Sequence, residues 1–353
     1  MFVLIWSIII SSIIFIIWLL LFKKLNILDA PWKYKDLKRK KPVPKLMGIF
    51  LIISVIVSIL LLIPNYLHNR SVQYLLFWAI FLWIITIIDD IKWISAKYRF
   101  LIQILVSIIW ILWWAIITNF WFLWHIYQIP YWLWFIISLI WFILIINSFN
   151  WFDGINWMWS WVATIWFVSM VLLIKFVILH YYQVTPEEYK HLVVLLNLCI
   201  IMSWVSFIST IIEFKPFWLL RDVWVMFLWY VLAYLSLLSG WKVGILIVVL
   251  SLVLFDSFWV IINRIRNKKN PMQWDYTHFH HRLMKHWWTR EEIRMFVWIW
   301  SLFFMVIMIL QWINTNNKII ILIMVFWLFF WIHIYLYWIK KLPQWMWKRN
   351  KDL

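Results

Sequence analysis

Long apolar runs alternate with short polar or basic segments along almost the whole chain. A helix that crosses a membrane needs about 20 apolar residues, within a range of about 17–25. Because an open strand would leave its backbone unsatisfied in lipid, each run is predicted to be a helix. The predicted fold class is all-α, a polytopic integral membrane protein whose residues 1–353 form one transmembrane domain. The eleven predicted spans lie near 2–22, 46–63, 73–88, 100–118, 131–148, 162–182, 191–212, 223–240, 243–262, 293–313 and 319–339.

The segments between the spans predict the orientation of the chain. Alternating eleven spans puts 27 of the 32 Lys and Arg residues on one side, which the positive-inside rule assigns to the cytoplasm. The N-terminus is then predicted outside and the C-terminus inside, with 2–22 as a first span rather than a cleaved signal. The predicted cytoplasmic segments are the loops 23–45, 89–99, 149–161, 213–222 and 263–292 and the basic tail 340–353.

Composition supports the membrane class and excludes others. The chain is 67% hydrophobic and 13% charged, whereas soluble domains are about 45–50% apolar and about 25% charged. The net charge of +18 follows from the basic cytoplasmic segments, and no nucleic-acid-binding module accompanies it. The single cysteine, Cys199, lies inside an apolar run and allows no disulfide within one chain.

Tryptophan and glycine occur in inverted proportions, with 36 Trp and 4 Gly. Glycine is ordinarily about 7% of residues and is more frequent in membrane helices than in soluble ones. We hypothesise that many tryptophans stand where the organism inserts glycine, as happens when a gene that uses UGA for glycine is translated with UGA as tryptophan. The alternative is a genuine belt of interfacial Trp. The presence of Trp in the loops as well argues against this alternative.

Two polar clusters interrupt the first half of the chain. Asp89 and Asp90 end the third apolar run, and Lys97 follows, which suits a Mg²⁺ site, a phosphate site or proton transfer. A solvated helix end explains the carboxylate pair equally well. Asn147, Asn150, Asp153 and Asn156 recur every three residues and share one face if they are helical. Oxygen ligands of this kind suit a hard cation or a nucleotide base.

Two further clusters lie in the second half. Asp222 follows Arg221 at the start of the eighth span, where a carboxylate also suits the helix N-terminus for structural reasons. The basic loop contains the segment His278-Phe-His-His-Arg282, a compact group of donors for pyrophosphate, with zinc as the rival ligand. In an extended strand His278 and His280 would project oppositely. Asp256 within the ninth span is functional or pairs with a basic neighbour such as Arg264.

Together these motifs resemble the polyprenyl-phosphate N-acetylhexosamine-1-phosphate transferase family. The resemblance extends over nearly the whole chain. The motifs that resemble the family's are Pro42-Val-Pro44-Lys-Leu-Met-Gly48, Asp89-Asp90 with Ser95-Ala-Lys97, Asn147 to Trp161, Arg221-Asp222-Val-Trp224, and Asp256 with Arg264, Arg266 and His278 to Leu283. The last block favours the branch similar to bacterial undecaprenyl-phosphate GlcNAc-1-phosphate transferases over the phospho-MurNAc-pentapeptide transferases.

The resemblance sharpens the glycine hypothesis and exposes departures. Tryptophan stands where the family has glycine at positions 93, 157, 161, 224, 229 and 287. Asn156 replaces the second Asp of its motif, Arg221 replaces a Gly, and Met47 replaces another. Arg221 puts the local turn in doubt, whereas an amide at Asn156 still suits pairing with uracil.

The resemblance implies transfer of a HexNAc-1-phosphate from a UDP-N-acetylhexosamine to a polyprenyl phosphate lipid, with release of UMP, at the cytoplasmic face of the bacterial inner membrane. It implies Mg²⁺, with Mn²⁺ as the alternative ion, held by Asp222 and Asn150. Asp89, Asp90 and Asp153 are the implied catalytic residues. The implied nucleotide and phosphate ligands are Asn156, Lys97, His278, His280, His281 and Arg282.

Several alternatives stay open. The branch of phospho-MurNAc-pentapeptide transferases is one, and a catalytically inactive homologue that binds lipid or nucleotide is another, given Arg221 and Asn156. A homodimer is compatible with the sequence. A transporter is disfavoured, because transporters use ionisable residues at the membrane midplane and the polar clusters here are predicted at one face.

Overall fold

The computed structural model is built almost entirely of helices. It describes residues 2–25, 28–29, 43–44, 48–77, 80–81, 84, 96–113, 119–122, 125–128, 130–151, 158–181, 183–214, 221–238, 247, 249–268, 278–285, 288–312, 324, 327–328 and 332. The helices are α1 (Phe2–Leu25), α2 (Gly48–Leu62), α3 (Ala96–Trp113), α4 (Tyr131–Trp151), α5 (Met158–Leu172), α6 (Leu179–Tyr181), α7 (Pro186–Phe214), α8 (Arg221–Leu238), α9 (Ser251–Arg266), α10 (Phe279–Lys285) and α11 (Arg290–Trp312). Residues 70–77 are helical as well.

The described helices follow the predicted apolar runs closely. Residues Leu173–Ile178 form π-helical turns that join α5 to α6, so the predicted span 162–182 is one continuous helical rod from 158 to 181. The motif that ends at Gly48 leads directly into α2, as the resemblance implies. Where the structure describes these runs, the prediction that they are helices is confirmed. Most of the predicted span 319–339 and most of the second half of 73–88 lie outside the described residues.

Two short antiparallel ladders depart from the all-α expectation. Leu28–Asp29 pairs with Val43–Pro44, and Asn119–Phe122 pairs with His125–Gln128. Both lie outside or at the edge of the predicted spans, where an isolated two-stranded ladder still finds water for its unpaired edges. The helical character of the predicted spans is therefore unaffected.

Three of the described helices are long and apolar enough to cross a membrane: Tyr131–Ser148, Met158–Ile178 and Pro186–Ile212. Shorter apolar helices cover Ile5–Trp18, Gly48–Leu62, Phe100–Ile109 and Trp224–Leu237. The molecule is thus a helical membrane protein. The number of eleven spans and their orientation stay predictions.

The chain divides into two compact units. The first comprises Met1–Asn150 and Asn156–Val243. In this unit α5 packs against α7 and α8, α1 packs against α2 and α7, and α2 packs against α7 and α8. Every residue of α8 from 224 to 237 is buried, which is the pattern of a helix that is apolar on all sides.

Burial in the first unit is inverted relative to a soluble protein. Ser7 and Ser11 are fully buried in α1, whereas Ile13 and Ile17 on the same helix are about half exposed. Ser54 and Ser58 are buried in α2 in the same way. Small residues that let helices approach, with branched aliphatic residues outside, are typical of helices packed in lipid.

The second unit comprises Trp151–Ile155 and Gly244–Leu353. The indole N–H of Trp300 in α11 donates to the hydroxyl of Ser251 in α9 at 3.0 Å, and the Ser301 hydroxyl donates to the carbonyl of Val249. Thr289 and Glu292 form a reciprocal cap at the start of α11. The bonds of Trp300 and Ser301 hold α9 against α11. The short helix α10 packs against these two helices.

Buried tryptophans occupy the interior of the first unit. Trp166, Trp224 and Trp229 are fully buried. The buried indole N–H groups of Trp134, Trp166, Trp204 and Trp224 make no hydrogen bond, and each such group costs about 1–3 kcal/mol. Glycine at these positions would remove that cost, which agrees with the glycine hypothesis.

Candidate active site

The predicted site residues are described to different degrees. Asp89, Asp90, Asp153 and Asn156 lie outside the described residues. Lys97, Asn150, Arg221 and Asp222 have a described helical backbone, but their side chains lie outside the described part. In the first unit, the geometry of the site is therefore defined by the positions of these four residues along their helices. In the second unit, it is defined by the side chains of His278 to Arg282.

Asn147 and Asn150 lie in the last turns of α4. The helical backbone puts the two positions on one face, as the sequence predicts if the segment is helical. Asn147 is partly buried, and its amide N–H₂ donates to the side chain of Gln103 in α3 at 2.8 Å and to the carbonyl of Ile143. The first member of the asparagine row is therefore a structural contact between two helices.

Gln103 was not predicted as a site residue. It is buried in α3, and a buried amide in an apolar helix needs a polar partner. A lone glutamine inside an apolar run was the available signal. Its partner Asn147 lies 44 residues away in the sequence, a separation that no local pattern reports.

Two contacts set α4 against α8. The rings of Phe142 and Tyr230 stack at 6.4 Å, and the Trp141 indole N–H donates to the Ser236 hydroxyl at 3.1 Å. From the ring pair, Asn150 lies eight residues towards the end of α4, and Asp222 lies eight residues towards the start of α8. Eight residues correspond to about 12 Å in each helix. In antiparallel helices both positions then lie at the same level.

Asp222 is the second residue of α8. The prediction that it lies at a helix N-terminus is confirmed for the backbone. The backbone N–H groups of the first turn and the helix dipole favour an anion there. A carboxylate at this point is stabilised in its charged form, which is the form that binds a metal ion.

The histidine block forms a helix rather than an extended strand. Helix α10 begins at Phe279, and the carbonyl of His278 accepts the N–H of Arg282 at 3.0 Å. The rings of His278 and His280 stack with centroids 6.2 Å apart, and those of His280 and His281 lie 4.0 Å apart. The opposite projection considered for a strand does not apply, and the three imidazoles form one cluster.

Asp256 is fully buried in α9 and contacts this cluster. One carboxylate oxygen lies 3.0 Å from Nδ1 of His278, and the other accepts the backbone N–H of Phe279 at 2.9 Å. The sequence suggested Arg264 as a partner. Arg264 lies eight residues further along α9, about 12 Å along its axis, whereas His278 contacts Asp256 from the position immediately before α10.

Burial changes the pKa values of basic side chains in the histidine block. Burial first, and then the neighbouring His281, His278 and Arg290, together lower the pKa of His280 to about 2. His280 is therefore neutral at working pH and offers a hydrogen-bond donor rather than a positive charge. Burial also lowers the pKa of Arg282, an effect that the Asp256 carboxylate opposes.

Lowering the pH from 7.5 to 5.5 is expected to destabilise the protein through His280. Its folded pKa lies below the value of about 6.5 for an unfolded histidine, so the unfolded chain binds the extra proton and stability falls as the pH falls below about 6.5. The expected loss is about 1.4 kcal/mol over this interval. Thermal unfolding in detergent measures it. His280→Asn should weaken the pH dependence, and an identical dependence in that variant would contradict the assignment.

Within the described residues, no group of three or more His, Cys, Asp or Glu side chains has the spacing of a metal site. The predicted magnesium ligands are Asp222 and Asn150, whose side chains lie outside that part. Backbone positions and donor chemistry are therefore the basis for judging a metal site at these two residues.

The fold and the polar helix ends define a helical membrane protein with charged groups and amides at the ends of its helices. Residues 72–239 match the model of Glycosyl transferase family 4. The resemblance inferred from the motifs is confirmed by this match. The matched segment contains Asp89-Asp90, Asn147 to Trp161 and Asp222, while Asp256 and the histidine block lie beyond it.

One curated relative covers most of the chain. It is described as a probable undecaprenyl-phosphate N-acetylglucosaminyl 1-phosphate transferase from Bacillus subtilis (strain 168). The two proteins are 25% identical over 276 residues, which cover 74% of this chain and 70% of the relative. The similarity extends beyond the part matched by the family model.

Proposed function

We propose that the protein transfers a HexNAc-1-phosphate, GlcNAc-1-phosphate first among the candidates, from a UDP-sugar to undecaprenyl or another polyprenyl phosphate. UMP is the second product, and the lipid-linked sugar starts synthesis of a cell-envelope polysaccharide. The match to the family model and the name of the relative support this reaction. The active site is proposed to lie on the cytoplasmic face of the bacterial inner membrane.

The observation that carries the proposal is the register of α4 and α8. Asn150 and Asp222 are equally distant from the stacked pair Phe142 and Tyr230. The alternation of spans predicts that these two helices are antiparallel, which brings an amide and a carboxylate to the same end of the helix pair. An oxygen donor from each helix is the arrangement that a hard cation needs.

The hydrogen bond between Gln103 and Asn147 supports a position for Lys97 at the same end of the bundle as Asn150. Lys97 lies six residues before Gln103 in α3, and Asn150 lies three residues after Asn147 in α4. For consecutive antiparallel spans, both positions lie beyond the bond on the same side. Lys97 is proposed to contact a substrate phosphate there as a point charge.

Magnesium fits this donor set, because Mg²⁺ takes one or two carboxylate or carbonyl oxygens and completes its shell with water and substrate phosphates. Asp222 and Asn150 are the proposed ligands, with Mn²⁺ as the alternative ion. When bound, the ion neutralises charge on the pyrophosphate of the UDP-sugar. The family resemblance is the source of the metal assignment.

The remaining residues are proposed to position the two substrates. The lipid phosphate oxygen forms a bond to the β-phosphorus while the bond from that phosphorus to the bridging oxygen breaks and UMP leaves. Asp89 or Asp90 orients or deprotonates the acceptor phosphate, Asp153 shapes the metal site and Asn156 contacts uracil. Phosphoryl transfer depends mainly on position and charge. The residues proposed to bind the phosphates are Lys97 in the first unit and His278, His280, His281 and Arg282 in the second.

Release of UMP from a panel of UDP-sugars tests the function directly. Purified protein that carries the residues its gene encodes, in detergent with undecaprenyl phosphate and Mg²⁺, should release UMP with UDP-GlcNAc faster than with other donors. A preference for UDP-MurNAc-pentapeptide would assign the protein to the peptidoglycan branch. No release with any donor, from a protein carrying the residues that its gene encodes, would leave an inactive binding homologue as the function.

A further inference from the structure

Asp256 joins α9 to two consecutive residues of the loop and helix that follow. Its Oδ2 meets Nδ1 of His278 at 3.0 Å, and its Oδ1 accepts the backbone N–H of Phe279 at 2.9 Å. All three residues are buried. A carboxylate held by one side-chain donor and one backbone donor has a fixed orientation, and it fixes the His278 ring in turn.

We propose that Asp256 is a positioning residue, which holds His278 with a proton on Nδ1 and directs the Nε2 side of the ring towards the phosphates of the substrate. The inference rests on the proposed function, since those phosphates belong to the UDP-sugar and the lipid. Neither the family match over 72–239 nor the relative's name assigns a role to Asp256.

The chemistry follows from the two nitrogens of imidazole. Nδ1 and Nε2 diverge from the ring, so a ring whose Nδ1–H points at Asp256 presents Nε2 on the other side. A carboxylate behind a histidine sets its tautomer and the orientation of its ring. In that orientation a second proton, on Nε2, donates a charge-assisted hydrogen bond to a phosphate oxygen.

The packing around Asp256 shows why one carboxylate is sufficient to place the block. Helix α10 has seven residues, too few to be stable without tertiary contacts. Asp256 satisfies one of its free N-terminal N–H groups, and the rings of Phe279 and Phe296 lie 6.0 Å apart between α10 and α11. Leu283 is buried on the same helix. The block is thus attached to both α9 and α11.

Asp256→Asn separates the orienting role from the structural one. The asparagine has the same size, and the backbone N–H of Phe279 still requires its amide oxygen as acceptor. The amide NH₂ then faces Nδ1 of His278, which must give up its proton and become an acceptor. Asparagine therefore preserves the attachment of α10 but reverses the tautomer of His278.

The first measurement is the tautomer of His278 by ¹⁵N spectroscopy of histidine-labelled protein in detergent, with His278→Gln identifying the signal. We expect protonated Nδ1 in the parent protein and unprotonated Nδ1 in Asp256→Asn. An Nδ1 proton of equal occupancy in both proteins would overturn the inference. This measurement needs no substrate, so it decides the inference even if the protein transfers no sugar phosphate.

The second measurement is a double-mutant cycle on UMP release. Asp256→Asn should lower kcat/KM by about 10–100-fold, a typical effect of removing a residue that orients another. Combined with His278→Gln it should lower kcat/KM no further than His278→Gln alone, because both act through one ring. Independent, additive losses would contradict the inference. The parent protein for this cycle carries the residues that its gene encodes, and absence of UMP release from it would instead count against the proposed function.

Ser257→Ala is the matched control. Ser257 is adjacent to Asp256 in α9, is fully buried, and its hydroxyl makes no hydrogen bond. The variant should keep both the parent tautomer of His278 and the parent kcat/KM. A loss in Ser257→Ala as large as that in Asp256→Asn would show that any change in this turn of α9 disturbs the site, and would remove the specific role of Asp256.

Discussion

Replacing tryptophan by glycine at 93, 157, 161, 224, 229 and 287 is expected to turn an inactive chain into an active enzyme. The printed sequence should release no measurable UMP, and the glycine-restored protein should turn over at about 1–1,000 per second, the ordinary range for enzymes. Trp224 and Trp229 are fully buried in α8, where added bulk strains the neighbouring helices by about 1–3 kcal/mol per site. At 157 and 161, glycine lets the backbone approach a nucleotide closely.

The control replaces tryptophans that the structure leaves exposed. Trp6, Trp132 and Trp259 are between 45% and 62% exposed and suit a position beside lipid. Changing these three to glycine should restore no activity. The codons provide a separate check, because the hypothesis requires TGA at 93, 157 and 224. TGG codons at these positions, or an active protein with verified Trp157, would refute it.

Asp222→Ala in the glycine-restored protein is expected to lower UMP release at least about 10³-fold, equivalent to about 4 kcal/mol of transition-state stabilisation. The proposed role explains the size of the effect, because the ion that neutralises the pyrophosphate would lose its carboxylate ligand. The register of α4 and α8 supports the pairing of Asp222 with Asn150. Asn150→Ala should therefore lower the rate as well, and more Mg²⁺ should be needed for half-maximal activity.

Glu187→Ala separates catalysis from the helix dipole. Glu187 is an exposed carboxylate in the first turn of α7, so its removal changes the electrostatics of a helix N-terminus as Asp222→Ala does. Both variants should lose a similar amount of stability, about 0.3–1 kcal/mol. Only Asp222→Ala should lose activity. Unchanged turnover in Asp222→Ala would remove this residue from the mechanism.

The sequence predicted the helices well because span length and apolar character are local properties. The runs that became α1, α2, α4 and α7 could be read directly, and so could the start of α2 at Gly48. The contacts of the site were harder to predict. Asn147 was visible as a polar residue, but its partner Gln103 lies on another helix, and nothing in the local pattern selects it.

The histidine block shows the same limit. The residue types predicted a phosphate site, yet the sequence left open whether the segment was a strand or a helix. The carboxylate of Asp256 in α9 favours the helix, because it accepts the backbone N–H of Phe279 at the start of α10. Proximity along the chain favoured Arg264 as the partner of Asp256, whereas packing brings in His278 from 22 residues away. Long-range contacts of this kind depend on the whole fold.

The complete burial of α8 has a consequence for the motions of the protein. From 224 to 237 every residue is surrounded by other helices, so this helix cannot tilt or slide without repacking its neighbours. Amide protons in its middle should be among the slowest to exchange with solvent. Asp222 therefore lies next to a rigid helical segment. The opening and closing steps of a catalytic cycle must take place in the segments that connect the helices.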